Sequence, residues 1–340
     1  MANFNLFCCC KGKKYKDEES LVGSLNTHDA THEGIKTIEV EEDCHFSSGS
    51  VLSVCVVTWN MNGKVSSQDL AELVNCDHKF DLLVIGLQEV PRCNIAQLFQ
   101  ELLDENYSLL GESVMQSLQL FVFGPKNYDF LRNEEIRVDK YATGGLGGLI
   151  GRKKGAVAIR FSIKGIRLVF IACHLSAHAR NVEERNSQLR HISQSLFSKN
   201  QNPFAGPADV TIWLGDLNYR IQGETIPVRN LIKKDLKSLT GKDQLLQEAE
   251  RGQIFEGYCE GTLDFKPTYK YNIGSSNYDT SHKERVPSWT DRILFKIDKS
   301  EDTDTTLHSY ESLDHIRSSD HKPVRALLSI NLNKNQNHLH

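Results

Sequence analysis

At 340 residues, with 39% hydrophobic and 25% charged residues, the chain has the usage of a globular protein with one large core, which excludes wholesale disorder and a fibrous fold. A net charge of −4 supplies no whole-molecule attraction to nucleic acid or to anionic membrane, so anion binding has to come from local clusters of cations. Nine cysteines without CxxC or zinc-finger spacing point to a reducing intracellular compartment, and no run of about 18 apolar residues is present to span a bilayer as a helix.

Residues 1–50 are poor in apolar and rich in polar residues, and are expected to form a flexible tail. Its start is distinctive: Cys8, Cys9 and Cys10 precede Lys11, Lys13, Lys14 and Lys16. Thioacylation of the cysteines plus a polybasic patch would together suffice for a peripheral membrane anchor. Ala2 stands where myristoylation needs glycine. No apolar core of a secretory signal follows, so a cytoplasmic location with peripheral membrane association is expected.

From Val51 the pattern changes to short runs rich in valine and isoleucine: VLSVCVVTWN, DLLVIGLQEV, AVAIRF, RLVFIACHL, DVTIWLGDLN and RALLSI. Each has strand length. Helices are predicted over Val182 to Leu196, where Val182, Leu189, Ile192 and Leu196 share a face, and over Ile226 to Lys234. Strands and helices mix without repeats, which predicts one α/β domain over 51–332 and a short C-terminal tail over 333–340.

Asn60, Glu89, His174, Asp216 and Asn218 each lie within a few residues of the end of an apolar run. Polar residues repeatedly placed at strand ends can converge on one edge of a sheet core. Glu89 is a hard carboxylate suited to Mg²⁺, and Asn60 and Asp320 can complete or support an oxygen-ligand site. Asp216 and Asn218 stand two apart and share a face in extended backbone, so one can orient or deprotonate water while the other donates to a phosphoryl oxygen. Asp291 can hold the imidazole of His321 and stabilise its protonated form, and His174 can bind a phosphoryl oxygen. Between Gly144 and Gly155, Leu146, Leu149 and Ile150 stand beside Arg152, Lys153 and Lys154, a pattern suited to contact with a lipid surface.

In order along most of the chain, TWNMNGK, LQEV, GGLGGLIGRKKGAVAIRF, CHLSAH followed by Glu184-Arg185-Asn186, WLGDLNYRI, FKPTYKY, RVPSWTDRIL and SDHKPV resemble the motifs of the inositol polyphosphate 5-phosphatases. The wording is most similar to the compact plant members, although RKKGAV stands where many animal members read NKGGV. The resemblance implies a DNase I-like four-layer α/β sandwich, in which two packed mixed β-sheets are flanked by helices and the active site lies at one edge. It implies Asn60 and Glu89 at the metal, Asp216 as the water-activating acid, Asn218 and His174 on the reacting phosphate, and Asp291 with His321 as an Asp-His pair. Tyr269, Lys270 and Lys283 match residues that hold a neighbouring 4-phosphate. Lys154 matches a lysine near the 1-phosphate of the lipid, and Arg185 and Arg190 are weaker substrate candidates.

The expected reaction is Mg²⁺-dependent removal of the 5-phosphate from a phosphoinositide lipid or inositol polyphosphate by a monomer. A nuclease of the same superfold would need a broad basic groove, which an acidic chain does not advertise. A non-catalytic phosphoinositide-binding module would not need the full catalytic set.

Overall fold

Strict alternation within the apolar runs decides the layering. In the computed structural model the strands are, in chain order, β1 (Lys36–Ile38), β2 (Val51–Asn60), β3 (Leu82–Gln88), β4 (Tyr107–Met115), β5 (Leu118–Pro125), β6 (Arg137–Ala142), β7 (Gly155–Ile163), β8 (Ile166–His174), β9 (Val210–Asp216), β10 (Cys259–Gly261), β11 (Asp291–Ile297), β12 (Thr305–Ser312) and β13 (Val324–Asn331). The α-helices are α1 (Ser67–Val74), α2 (Ile95–Leu103), α3 (Val182–Ser195), α4 (Thr225–Lys234) and α5 (Gln244–Glu250). The structure describes residues 34–41, 51–75, 79–103, 105–126, 135–143, 154–163, 165–198, 207–298 and 305–331.

Seven strands form one sheet in the order β1-β10-β11-β9-β8-β7-β6, and six form the other in the order β12-β13-β2-β3-β5-β4. Along β2, Leu52, Val54 and Val56 enter the core between the sheets, while Cys55, Val57 and Trp59 face the opposite side with Leu70 of α1 and Phe99 of α2. Along β8, Leu168, Phe170 and Ala172 enter the same inter-sheet core, and Val169, Ile171 and Cys173 pack with Leu189 and Ile192 of α3 and Leu245 of α5. Two-residue periodicity on both sheets therefore buries both faces of each, giving helix, sheet, sheet, helix. At about 1.5–3 kcal/mol for each fully buried large apolar side chain, these three clusters are the main favourable contribution to folding.

Gly86 sits where the two sheets approach each other closely. A Cβ there would lie 2.6 Å from Leu214 Cδ1 and 3.1 Å from Ala172 Cβ, so any side chain would force the sheets apart.

Within the first 50 residues, most of which were expected to form a flexible tail, a short strand is present. β1 pairs in parallel with β10 from Lys36 opposite Cys259 to Ile38 opposite Gly261, and Ile38 packs against the inter-sheet core. A three-residue strand with one apolar anchor leaves no periodic signal in sequence. Cys8, Cys9, Cys10 and the tail over 333–340 lie outside the described residues. Among the described residues no helix is long and apolar enough to cross a membrane.

Topology brings the strand ends together. β2 and β3 are parallel with Asn60 opposite Gln88, and β8 and β9 are parallel with His174 opposite Asp216. β11 runs antiparallel to β9 and begins with Asp291 opposite Asp216, while β13 runs antiparallel to β2 and starts with Val324 opposite Thr58. Four strands therefore end, and two begin, at one edge of the sandwich.

Candidate active site

At that edge a side-chain hydrogen bond ties the two sheets together: Asn60 Nδ2 donates to Asp216 Oδ2 at 3.0 Å. Asn60 Oδ1 accepts the backbone N–H of Asn62 at 3.0 Å, so the amide is held at both ends. Glu89 follows β3 directly with φ of 54°, and its carbonyl accepts the N–H of Gly63 at 2.8 Å, which ties the turns after β2 and β3 together.

Asp216 is the hub. His174 Nε2 lies 3.2 Å from its Oδ2, and Asn218 N–H donates to its Oδ1 at 3.1 Å. Burial acts to raise the Asp216 pKa, but the hydrogen bond from His174 and the positive potential of His321 and Lys154 outweigh it and hold the carboxyl well below the usual range. Asp216 is ionised throughout the neutral range. His174 is driven the other way, down to about 4, by burial and by the charge of Lys154, whose Nζ contacts Nε2. It is neutral at pH 7, and Nε2 can donate to Asp216 or accept from Lys154 but not both.

Gly215, at φ of 144°, lets β9 lie against β8, since a Cβ would collide with the Cys173 carbonyl. Asn218 takes a left-handed φ of 58°, with Nδ2 donating to Leu175 O at 3.1 Å and Oδ1 accepting from Arg220 Nη2. One Nδ2 hydrogen is left over for a ligand.

Facing Asp216, His321 Nδ1 lies 2.9 Å from Asp291 Oδ2. Asp291 is fully buried and also accepts from Thr268 Oγ1 at 2.6 Å and Thr290 Oγ1 at 2.9 Å. Burial alone would lower the pKa of His321, but the charge and hydrogen bond of Asp291, with Asp216 and Asp320 behind, raise it to about 9. The imidazolium is therefore the neutral-pH form. Ser319 Oγ accepts the His321 N–H at 3.1 Å and donates to Asn60 O at 2.6 Å, fixing the His321 turn against the end of β2.

Donor atoms of Asp216, Asp291 and His321 all lie within 4.8 Å of one another. Within this cluster Asp291 Oδ2 already accepts from Thr268, Thr290 and His321. Hard oxygens suited to a divalent cation are those of Glu89 and Asn60 at the ends of the two parallel strands.

Endonuclease/Exonuclease/phosphatase family 2 matches residues 57–327 of the chain. Type IV inositol polyphosphate 5-phosphatase 11 of Arabidopsis thaliana is 55% identical over 97% of this chain and 98% of its own. The chain belongs to the inositol polyphosphate 5-phosphatases. It is accordingly a phosphoric monoester hydrolase. The solved 5-phosphatase domain of SPsynaptojanin, in complex with inositol (1,4)-bisphosphate and a calcium ion, is 30% identical with a TM-score of 0.71, covering 82% of this chain and 84% of that one. A Cimex nitrophorin, solved as a ferrous NO complex, is 26% identical with a TM-score of 0.70 over 84% of this chain and all of its own. One sandwich thus carries unrelated chemistries, and the side chains at its edge decide which.

In this 5-phosphatase the other sequence-predicted residues fall into three groups. Tyr269 packs against His321 with ring centroids 4.5 Å apart and planes tilted by 38°, and Lys270 Nζ pairs with Asp320 Oδ2 at 3.1 Å. Asp320, expected to support the metal, is thus already neutralised by a cation. Lys283 lines a cleft of about 630 Å³ beside the catalytic group, together with Tyr269, Arg220, Arg285 and His178. Lys154 lies against His174.

Arg185 and Arg190 are not brought to the substrate side. Arg185 is fully buried, with Nη1 on the carbonyls of Ser176 at 3.1 Å and His178 at 2.7 Å, and Nη2 on Gln244 Oε1 at 2.8 Å. It braces the loop after β8. Arg190 pairs with Glu183 at 2.6 Å on the surface of α3 and lines a different cleft with Trp213 and Phe255. A helical arginine in sequence carries no sign of which face it will take. Leu146, Leu149 and Ile150 lie outside the described residues.

Sequence reasoning passed over Arg220, Thr268, Thr290 and Ser319. Arg220 Nε donates to Asn218 O at 3.2 Å, and its guanidinium lies 4.4 Å from the Tyr269 ring centroid. It links the Asn218 amide to the ring packed against His321. Its position inside WLGDLNYRI was the available signal.

Proposed function

We propose that this chain removes the 5-phosphate from phosphoinositide lipids such as phosphatidylinositol 4,5-bisphosphate, with Mg²⁺ as cofactor, and that the 3,4,5-trisphosphate and soluble inositol polyphosphates are further substrates. The observation that carries the reading is the opposition of two charge states across one edge: an ionised Asp216 faces an imidazolium at His321 held by Asp291.

Glu89 and Asn60 would hold the metal, whose contribution is to neutralise phosphoryl charge and lower the barrier electrostatically. Asp216 orients a water and accepts its proton as the oxygen attacks phosphorus in line. The bond from phosphorus to the 5-oxygen breaks, the 5-hydroxyl takes up a proton and inorganic phosphate leaves. The spare Asn218 N–H donates to a phosphoryl oxygen, as does neutral His174 in the tautomer that does not spend its N–H on Asp216, and the His321 imidazolium stabilises the charge that develops on the transferring group. Tyr269, Lys270 and Lys283 bind the neighbouring 4-phosphate. Lys154, Leu146, Leu149 and Ile150, with acylated Cys8, Cys9 and Cys10, hold the enzyme to the membrane as a monomer.

Phosphate release is measured from vesicles containing phosphatidylinositol 4,5-bisphosphate, from soluble inositol trisphosphate and from DNA, each with Mg²⁺ and with chelator. Metal-dependent release is expected from lipid above soluble substrate, with no DNA cleavage. Equal rates with chelator would overturn the metal assignment, and faster turnover of the soluble substrate would overturn the lipid preference.

A further inference from the structure

Beside α4 and the turn over 276–280 opens a second cleft, of about 580 Å³, none of whose lining residues belongs to the catalytic group. Its volume falls within the roughly 300–1,000 Å³ of small-molecule sites. Arg229, Lys233 and Lys266 line it, and no carboxylate among the described residues does. Lys233 stands in the last turn of α4, where the helix dipole favours a cation, but that does not account for Arg229 or Lys266. Neither Lys233 nor Lys266 has an ion pair with a described residue, and both are exposed.

Arg229 is the informative group. Its Nη2 donates to the backbone carbonyl of Asp279, while its Nε is buried without a hydrogen-bond partner. A buried guanidinium donor left unsatisfied is costly and uncommon, and a turn of the Arg229 side chain toward the cleft would bring it to an acceptor supplied by an anion there. The opposite wall is firm. Tyr271 and Tyr278 stack with centroids 4.5 Å apart, and their hydroxyls donate to Pro267 O at 3.1 and 2.9 Å.

The cleft is also wired to the substrate side. Asp279 N–H donates to Lys270 O at 2.8 Å, and the Asp279 carboxylate accepts the N–H groups of Ser281 and Arg285, each at 3.0 Å. The strut that Arg229 grips therefore carries Lys270 at one end and the turn bearing Lys283 at the other.

We propose that this cleft is a second anion site, which takes a phosphate monoester from a phosphoinositide headgroup or a soluble inositol phosphate. Its occupant completes the hydrogen bonding of Arg229 and steadies the segment that presents Lys270 and Lys283.

The test uses the full chain labelled with ¹⁵N. Because Arg229 Nε–H is buried, its resonance is protected from exchange and can be followed during titration with inorganic phosphate and with inositol 1,4-bisphosphate. A saturable shift is expected, weakened about tenfold in K233Q/K266Q, as two exposed charge contacts imply, while the His321 resonance titrates as in wild type. Both lysines are exposed, so an unchanged melting temperature checks that the variant is folded. Co-sedimentation with phosphatidylcholine vesicles containing phosphatidylinositol 4-phosphate identifies the source: weaker pelleting of the variant marks the headgroup, and unchanged pelleting with the soluble shift intact marks the free inositol phosphate. An Arg229 resonance that stays put while His321 saturates, or a variant that titrates like wild type, would overturn the site and leave the catalytic assignment standing.

Discussion

His321 Nδ1 lies 2.9 Å from Asp291 Oδ2, and the carboxylate that holds it is fully buried beneath two threonine hydroxyls. The pair keeps a positive charge within reach of the transferring phosphoryl group at neutral pH. Removing the charge of Asp291 while keeping its shape should lower the pKa of His321 from about 9. Asp291→Asn is expected to lose on the order of a thousandfold in kcat, and the alkaline limb of its pH-rate profile should move to lower pH. A profile superposable on wild type would mean that His321 is not the titrating group.

The same pair affects stability. Since the folded pKa of His321 is raised above its ordinary 6.5, its contribution is complete below pH 6.5 and is lost as pH rises through about 9. Denaturant midpoints measured from pH 6 to 10 should decline over that window in wild type, and decline less in Asp291→Asn.

Asp216→Ala removes the group that accepts Asn60 Nδ2 and lies against His174. Turnover should fall by at least roughly a thousandfold. The variant should remain folded, as judged by circular dichroism, because the inter-sheet core is untouched. Near-normal activity in purified Asp216→Ala would refute the assignment of the attacking water to this carboxylate.

Arg220 presents a fork to Asn218 and a flat face to Tyr269, which lysine cannot reproduce. Arg220→Lys keeps the charge and should still cost roughly a hundredfold in kcat through misplacement of Asn218. KM should change little. A change confined to KM would instead make Arg220 a plain substrate-binding cation.

Lys270→Ala should act on binding. KM for a substrate carrying a 4-phosphate is expected to rise on the order of tenfold with little change in kcat, and a substrate lacking that phosphate should be unaffected. Parallel steady-state kinetics on the two substrates decide it.

Arg292 follows Asp291 directly, yet it points away from the chemistry. Its guanidinium is fully buried, with Nε on Glu260 Oε1 at 2.6 Å and Nη1 on Asp243 Oδ1 at 2.9 Å. Arg292→Ala leaves two buried carboxylates without their cation and should cost about 3–5 kcal/mol of stability. Equilibrium unfolding measures this, and a loss of activity at unchanged stability would contradict it.

Much of the frame was legible along the chain. The runs ending at Asn60, His174 and Asp216 became β2, β8 and β9 because valine and isoleucine at period two admit little else, and Val182 to Leu196 became α3 with one residue less. β6 and β12 were not read, because edge strands bury one face only partly and carry polar residues at most positions, as in TTLHSYES. Arg185, a weaker substrate candidate in the sequence, has a buried partner in Gln244 that only the fold reveals.

By itself the sequence determined the family, the α/β class and the residue types at the strand ends, since periodicity and ordered motifs are local properties of the chain. Only the tertiary structure decided that Asn60 reaches Asp216 across 156 positions, that Asp320 is spent on Lys270, and that Arg220 rather than Arg185 stands beside the site. Which charges meet is set by sheet register and by closure of the sandwich, and those arise from long-range packing that no window of sequence contains.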